Sequence, residues 1–412
     1  MRLLILSQYF WPETFIINDL ARLLADRQVE VTVLTGKPNY PGGKVLDGYK
    51  SHGVQREHVG DVEVIRLPLV PRGRGSSARL TINYLSFIAS ASLIGPFALR
   101  GRSFDAVFVY GTSPLLKALA AIVLAGLKKA PLIVWVQDLW PESLSATGHV
   151  RNRTVLAIVG ALVRAIYRRA DLILVQSRAF HDPVAVYSDH PEKIRYYPNL
   201  YESPAPGALV PAVESLVERL GQSFSVVFAG NIGTAQSPET ILEAARLLKP
   251  DRDITIVLVG SGSRDLWLAE EAVRLGLDNL VFAGRFAPDE MSHIFAAASA
   301  LLVTLAPEPP FALTVPSKIQ AYLAAGRPIV AALDGEAARI IAEAGAGFCV
   351  PAGSAADLAE TIRTLQRMPL EQREALGARG RDYFEGNFEP HKLTTDLIAH
   401  LSDAIASRES AA

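Results

Sequence analysis

Short apolar runs alternate with longer segments of helical periodicity along almost the whole sequence. The runs are rich in Val, Ile and Leu and end at turn-forming residues, which is the pattern of strands buried on both faces of a parallel sheet. In the first half the predicted strands are Leu3–Leu6, Val29–Leu34, Val62–Leu67, Ala106–Tyr110, Leu132–Val136 and Leu172–Gln176. The predicted helices between them are Phe15–Ala25, Leu80–Leu99, Pro114–Lys128, Arg153–Arg169 and Ala179–Val186.

The second half repeats this plan. The predicted strands are Ser225–Ala229, Thr255–Val259, Leu280–Ala283, Leu301–Thr304, Pro328–Ala331 and Gly347–Val350. The predicted helices are Pro238–Leu248, Leu266–Leu275, Pro288–Ala298, Lys318–Ala325, Glu336–Ala344 and Ala355–Arg367. This alternation predicts an α/β fold of two doubly wound, Rossmann-like domains that face one another across a cleft and bind ligands at the carboxyl ends of their strands.

The boundary between the halves shows as a change in composition. Residues 198–223 contain four prolines and two glycines and have no strand pattern. Two amphipathic helices, Leu370–Phe384 and Pro390–Ser407, follow the last predicted strand and its helix, and the final one is expected to cross back to the first domain. The predicted divisions are a first domain 1–200, a linker 201–222, a second domain 223–385, and a crossover helix and tail 386–412.

Charge and cysteine content narrow the function by exclusion. With 41 basic and 42 acidic residues the net charge is -1, which gives no electrostatic case for binding nucleic acid. The single cysteine, Cys349, cannot form an internal disulfide, and the first apolar run ends at Ser7, too early for a signal peptide. No apolar stretch reaches the roughly 18 residues of a spanning helix. We therefore expect a cytoplasmic protein.

Glycine-rich turns follow two strands of the second half. Gly230 and Gly233 follow the first strand, and Gly260 and Gly262 follow the second. Glycines there let backbone N–H groups approach a ligand, and the helix that follows favours an anion. Tight turns without a ligand are the alternative for either turn alone.

A lysine stands at an unusual place in the same half. Ser317 and Lys318 open a predicted helix, where the helix dipole disfavours a cation unless an anion lies above it. Arg285, after the third strand, is a second candidate for the same anion. An exposed lysine and a solvated arginine are the alternatives.

Carboxylates and aromatic residues follow the strands of the first half. Asp138 is the best-placed general base or orienting acid, with Glu142 second and Trp140 between them as a candidate acceptor contact. The alternative is that Asp138 caps the next helix. Glu13 ends an aromatic segment, Gln8–Glu13, which either stacks on a sugar or closes the core, and it is the third catalytic candidate.

The turn-rich loop Gly36–Gly43 is predicted to contact an acceptor through Asn39 and Tyr40, and Asn18 is included with them. A plain surface loop is the alternative. Ser113 and Pro114 are predicted to open the helix that ends at Lys128.

A basic-flanked apolar helix occupies residues 80–99, with Arg72, Arg74 and Arg79 before it and Arg100 and Arg102 after it. Asn83 and Pro96 argue against a spanning helix. The sequence allows two roles for this helix: it lies on an anionic membrane surface, or it packs in the core.

Five motifs in one order resemble a known family. The stretches QYFWPE, GKPNYPGG, VQDLWPES, FAGNIGTAQ and VPSK with YLAAGRPIVAA are similar to those of the bacterial family-4 glycosyltransferases of O-antigen and colanic-acid gene clusters, nearest to the fucosaminyltransferase-like enzymes. The resemblance covers residues 1 to about 400. It implies a GT-B fold, a nucleotide-diphosphate sugar held by the second domain, an acceptor at the first, no obligatory metal or other cofactor, and retention of anomeric configuration.

The sequence also departs from that family. Leu313 and Ala321 stand where many relatives carry a pair of glutamates, and Gln137 stands where many carry a histidine before the aspartate. Asn231 and Gln236 replace an arginine and a lysine after the first glycine turn and are kept as donor-binding candidates. The hypothesis is then that Arg285 and Lys318 supply the positive charge.

The predicted function is transfer of a sugar, such as an N-acetylated amino or deoxy sugar, from a nucleotide-diphosphate donor to a lipid-linked or saccharide acceptor in surface polysaccharide (O-antigen or exopolysaccharide) biosynthesis. Peripheral contact with the cytoplasmic face of the inner membrane accompanies this prediction. A nucleotide-sugar epimerase of the same fold and a non-catalytic nucleotide-sugar-binding protein are the alternatives.

Overall fold

The structure, a computed structural model, describes residues 1–73, 77–146, 152–205, 207 and 209–410. It divides into two units, the first comprising Met1–Leu200 and Pro390–Ala412 and the second Tyr201–Glu389. Three residues of the basic segment (74–76), two of the predicted linker (206 and 208) and the last two of the tail lie outside the described residues.

The first unit is built on one sheet with strand order β3-β4-β2-β1-β5-β6-β7-β8. All neighbours are parallel except β3, which runs antiparallel to β4. The strands are β1 (Arg2–Leu6), β2 (Glu30–Gly36), β3 (Gln55–Val59), β4 (Val62–Leu67), β5 (Ala106–Gly111), β6 (Leu132–Val136), β7 (Leu172–Val175) and β8 (Ile194–Tyr196). The helices between them are α1 (Ile16–Asp26), α2 (Ser77–Leu93), α3 (Gly95–Ala98), α4 (Ala118–Lys128), α5 (Glu142–Ala146), α6 (Arg153–Arg169) and α7 (His181–Ala185).

Two strands of this sheet were not predicted. β3 alternates between half-buried and exposed residues at the sheet edge, so it lacks the apolar run that marks the buried strands. β8 is only three residues long, with an exposed arginine at its centre. Edge strands carry little hydrophobic signal because one of their sides faces water.

Two helix predictions in this unit were wrong in detail. The helix predicted at Leu80–Leu99 is broken into α2 and α3 near Pro96, which has no N–H to continue the ladder. The helix predicted from Pro114 begins at Ala118, because Pro114 is extended (φ -85°, ψ 140°) and a 3-10 turn, Leu115–Lys117, comes first. Ser113 therefore does not cap this helix, and its hydroxyl accepts a hydrogen bond from Trp140 instead.

The second unit has a fully parallel sheet with strand order β11-β10-β9-β12-β13-β14. Its strands are β9 (Phe224–Asn231), β10 (Ile254–Ser261), β11 (Leu280–Gly284), β12 (Ala300–Thr304), β13 (Ile329–Ala332) and β14 (Gly347–Val350). Its helices are α8 (Pro211–Leu220), α9 (Pro238–Leu247), α10 (Asp265–Leu275), α11 (Met291–Ala297), α12 (Pro309–Leu313), α13 (Ser317–Ala325), α14 (Glu336–Ala344), α15 (Ala355–Arg367) and α16 (Leu370–Asn387).

The predicted linker belongs to the second unit. It contains α8, whose Val213, Leu216 and Leu220 are buried in the core of that unit. The last helix, α17 (Pro390–Ser410), belongs to the first unit, where it packs on α1. Arg27 donates to Thr395 Oγ1 (2.9 Å), and Arg408 pairs with Asp171 (2.9 Å).

Candidate active site

Two glycine turns meet at the carboxyl edge of the second sheet. β9 and β10 pair as far as Gly230 with Gly260 and Asn231 with Ser261. Both strands therefore end two residues later than the sequence predicts. Gly230 (φ 122°) and Gly260 (φ 137°) adopt backbone conformations that side chains rarely permit. A Cβ at Gly260 or Gly262 would collide with the backbone of the neighbouring turn. The glycines therefore allow the two turns to lie directly against each other.

Lys318 lies beside the first of these turns. Its Nζ is 3.3 Å from the centroid of the Phe228 ring, and a Cβ at Gly230 would be 3.1 Å from Lys318 Cε. The Nζ atom is shielded from solvent and has no hydrogen-bond partner among the described residues, although the stem is partly exposed. Burial lowers the pKa of Lys318 to about 7. An ammonium placed in this way is suited to an anion bound at the turn.

A buried tyrosine fixes the position of α13. Tyr322, one helical turn after Lys318, accepts a hydrogen bond from the backbone N–H of Ala229 (2.8 Å). Its ring is almost fully buried and packs against Phe295. The contact aligns α13 with the end of β9, and sequence analysis missed it because a tyrosine within a helical pattern reads as ordinary core.

The other donor-site candidates are distributed unevenly. Asn231 Nδ2 donates to Gln236 Oε1 (3.3 Å), so these two side chains span the first turn. Ser317 is exposed at the start of α13. Arg285 is exposed after β11, which β10 separates from β9, and no contact joins it to Lys318. The structure therefore groups Asn231, Gln236 and Lys318 at one turn but leaves Arg285 apart.

In the first unit, Glu13 organises the loop predicted to contact an acceptor. Its carboxylate accepts backbone N–H groups from Asn39 (2.7 Å), Tyr40 (2.6 Å) and Phe10 (3.3 Å). Burial raises the pKa of Glu13 to about 7, against the opposing effects of these hydrogen bonds and of Arg66. The contacts make Glu13 a residue that holds backbone, and its predicted catalytic role stays a prediction.

Asn18 and Asn39 also hold the local backbone. Asn18 donates to the Glu13 carbonyl (2.7 Å) and accepts the N–H of Trp11 (3.1 Å). Asn39 is fully buried, donating to the Lys37 carbonyl (2.9 Å) and accepting the N–H of Arg72 (3.0 Å). Their side chains fix the loop, and their predicted contact with an acceptor stays a prediction.

Tyr40 has a more open position than these asparagines. Its side chain is half-exposed, lies in a cluster with Tyr9 and Phe15, and stacks beneath the Arg72 guanidinium at 4.8 Å. A partly exposed aromatic face with a cation beside it can bind a sugar ring or an anionic group.

Asp138 and Trp140 converge on one turn after β5. Asp138 Oδ2 accepts the N–H of Ser113 (2.8 Å), and Trp140 Nε1 donates to Ser113 Oγ (3.0 Å). Trp140 is buried, so most of its ring is in contact with the protein and little of it is open to an acceptor. Glu142 opens α5 and accepts a hydrogen bond from Tyr187 (3.1 Å). Asp138 and Glu142 are thus held by different partners.

Comparison with known proteins identifies the chemistry of this fold. A glycosyl transferase 4-like domain model matches residues 15–199, and a glycosyl transferases group 1 model matches residues 223–367. Together they span most of the chain and divide it where the structure does. The chain is a family-4, GT-B type glycosyltransferase.

Relatives agree with this assignment. The chain is 27% identical over 338 residues to a probable glycosyltransferase, WbjE, of Pseudomonas aeruginosa, covering 80% of this chain and 82% of WbjE. It is 26% identical over 295 residues to a putative colanic acid biosynthesis glycosyl transferase, WcaI, of Escherichia coli K12, covering 68% and 71%. The crystal structure of Anabaena HepE with UDP superposes with a TM-score of 0.70 at 17% identity, over 98% of this chain and all of HepE.

Two further features of the glycosyltransferase concern membranes and metals. Within the described ranges, none of the helices combines the length and the apolar content that crossing a bilayer requires. In the same part of the chain, no three His, Cys, Asp or Glu side chains are grouped so as to bind a metal ion.

Two buried polar groups lie near Asp138, and only the first of them, Gln137, was singled out from the sequence. Gln137 Nε2 is buried without a hydrogen-bond partner among the described residues. Lys117 is fully buried and donates to Thr112 Oγ1 (2.6 Å). Nothing in the sequence signals the burial of Lys117, because a lysine in a helical pattern is normally exposed.

Proposed function

We propose that this glycosyltransferase transfers a sugar from a nucleotide-diphosphate donor, bound by the second unit, to a hydroxyl of a saccharide or lipid-linked acceptor, bound by the first. The observation that carries the proposal is the Lys318 ammonium beside the Gly230 turn, which has no partner in the described part of the chain. HepE, which shares the fold, has been crystallised with UDP and with UDP-glucose, and WcaI is named for colanic acid biosynthesis. Both relationships support a nucleotide-sugar donor and a role in surface polysaccharide assembly.

Without a bound ligand, the buried ammonium of Lys318 destabilises the protein. An ammonium shielded from water and unpaired costs several kcal/mol, which explains the lowered pKa. A diphosphate at the glycine turn would pair with it and would also receive backbone N–H groups exposed by the glycines. The binding energy of the donor then offsets the cost of burial.

We propose the following transfer chemistry. The acceptor hydroxyl approaches the face of the sugar from which the diphosphate departs. It bonds to the anomeric carbon as the bond between that carbon and the diphosphate oxygen breaks. The leaving electron pair remains on the diphosphate, where Lys318 stabilises it, and the hydroxyl proton passes to Asp138. We propose retention of configuration, in line with the family resemblance, and activity without an obligatory metal, since a lysine can neutralise the leaving group. Chelation with EDTA should then leave the rate unchanged.

A lipid-linked acceptor would be reached at the cytoplasmic face of the inner membrane, and the outer surface of α2 and α3 supports this. Ile82, Leu85, Leu93 and Phe97 form an exposed apolar stripe along these helices. The sequence carries no Asp or Glu between Glu63 and Asp105, whereas six arginines lie in that stretch, of which Arg66 is fully buried and Arg102 pairs with Glu63. An apolar stripe in a basic segment suits an anionic lipid surface.

This membrane contact has a matched test. Phe97→Glu should reduce binding to vesicles of phosphatidylglycerol and phosphatidylethanolamine at least fivefold in a sedimentation assay. Leu266→Glu is the control, because Leu266 is equally exposed (77% for both residues) but lies on α10 of the second unit. Equal loss in both variants, or none in either, contradicts the membrane proposal.

The donor and the reaction are tested together. Thermal shifts with UDP-, GDP- and dTDP-sugars, including N-acetylated amino and deoxy sugars, identify the bound donor. That donor is then incubated with and without a bacterial membrane-lipid extract, and nucleotide release and glycolipid formation are measured. Release that depends on the extract supports transfer. Epimerised sugar from the donor alone indicates an epimerase, and binding without turnover indicates a non-catalytic binding protein.

A further inference from the structure

Lys117 is a fully buried lysine whose position no contact of ordinary packing explains. It ends the 3-10 turn Leu115–Lys117, which packs against α2, α4 and α6. Its Nζ donates to Thr112 Oγ1 at 2.6 Å. A leucine or methionine would fill the same space without burying a charge, so stability alone does not favour a lysine here.

Another lysine, Lys128 at the end of α4, has a purely structural role and serves as a comparison. Lys128 is partly buried, and its Nζ donates to the carbonyls of Leu99 (2.6 Å) and Arg102 (2.8 Å), tying the end of α4 to the segment after α3. Lys117 bonds no backbone carbonyl among the described residues. Its ammonium is directed instead to the hydroxyl of a residue at the carboxyl end of β5.

That hydroxyl belongs to the turn that holds Asp138. Thr112 bonds Lys117, and the next residue, Ser113, donates its N–H to Asp138 Oδ2 (2.8 Å). Burial lowers the pKa of Lys117 to about 7, and Asp138 is the carboxylate whose charge opposes this effect. The two charged groups are therefore linked through the adjacent residues Thr112 and Ser113.

We propose that Lys117 is a positioning residue for sugar transfer, which fixes the Thr112–Ser113 turn that holds the Asp138 carboxylate. The inference rests on the proposed function, in which Asp138 receives the proton of the acceptor hydroxyl. Lys117 is out of reach of substrate because it is fully buried, so it acts only through Asp138.

A double-mutant cycle on the full-length protein tests this role. Lys117→Met removes the charge and keeps the shape, Asp138→Asn removes the carboxylate, and Lys128→Met is the lysine control. Turnover is measured as nucleotide release from the best-bound nucleotide-sugar with the membrane-lipid extract as acceptor. Lys117→Met should lower kcat 10- to 100-fold, leave the donor KM within twofold and leave the Tm equal or higher. In the Asp138→Asn background the same change should alter kcat less than threefold.

Three results would overturn the proposal. These are an unchanged kcat in Lys117→Met, an equal loss in both backgrounds, and an Asp138→Asn variant as active as the parent. If Lys117→Met does not fold, Lys117→Leu, which also removes the donor to Thr112, is taken through the same cycle with the same criteria. Failure of the proposed function is recognised separately, since the parent protein would then show no acceptor-dependent nucleotide release.

Discussion

Tyr322 Oη accepts a hydrogen bond from the backbone N–H of Ala229 at 2.8 Å. This bond connects α13 to the carboxyl end of β9, where Lys318 lies beside Gly230. The proposed donor binding in the second unit depends on this alignment, because the lysine and the glycine turn come from separate elements. The position of one buried hydroxyl thus connects the packing of the sheet to the proposed chemistry.

Tyr322→Phe should destabilise the protein by about 1–2 kcal/mol, because the Ala229 N–H loses its buried partner. Denaturant unfolding measures this change. Donor affinity should fall threefold or more, since α13 is less firmly aligned. Tyr49→Phe, which removes a long contact to Glu57 (3.5 Å) in the first unit, should leave donor affinity unchanged. Equal donor affinities for Tyr322→Phe and the parent would contradict the alignment argument.

Gly260→Ala should be severely destabilising. The residue has φ 137°, and a Cβ there would collide with the backbone of Gly230. Strain of this kind costs about 2–3 kcal/mol, and relief of the collision would separate the two glycine turns and weaken donor binding. Gly126→Ala on α4 is the matched control, because no atom lies near its added methyl group and a helical alanine stabilises by up to about 1 kcal/mol. A stable, donor-binding Gly260→Ala variant would show that the close contact between turns is unnecessary.

The sequence predicts the sheets well and the site only partly. Strands such as Leu132–Val136 are buried on both faces, so their apolar runs identify them directly. β3 has a polar, alternating pattern at an edge and could not be recognised in this way. The glycine turns were found because glycine is the usual residue where the backbone must adopt a positive φ at the end of a strand.

Burial of charge was the part that the sequence could not show. Lys318 was singled out by its place in a first helical turn, but its lack of a partner appears only in the structure. Lys117 was read as part of a helix from Pro114, which begins later, at Ala118. Asn39 and Glu13 were expected at a ligand, whereas the structure shows their polar atoms bound to the backbone. Such partners depend on distant segments, which local patterns do not record.

Glu13 predicts a pH dependence of stability on the acid side. Its pKa is raised from 4.5 to about 7 in the folded protein, so its contribution to the free energy of unfolding is full below pH 4.5 and is lost as pH rises through 7. In Glu13→Gln, the difference between the free energies of unfolding at pH 5 and pH 8 should be smaller than in the parent by on the order of 2 kcal/mol. Denaturant unfolding at the two pH values measures it. An unchanged difference between the two pH values would mean that Glu13 titrates normally.

Lys318 predicts the opposite trend on the alkaline side. Its pKa is lowered from 10.5 to about 7. The contribution of Lys318 to the free energy of unfolding is therefore present above pH 10.5 and is lost as pH falls through 7. Without donor, Lys318→Met should therefore be more stable than the parent at pH 6.5, by on the order of 3 kcal/mol, with the difference shrinking towards pH 10. Lys249→Met, at an exposed lysine, should show no such difference. A less stable Lys318→Met variant at pH 6.5 would show that the ammonium is well solvated.

The most direct test of donor binding through Lys318 is the Kd for UDP, GDP and dTDP measured by calorimetry on the parent, Lys318→Met and Lys249→Met. The structure predicts that the preferred nucleotide diphosphate binds the parent and Lys249→Met equally and binds Lys318→Met at least 30-fold more weakly. Equal affinity in all three proteins, or no binding to the parent, would contradict the account.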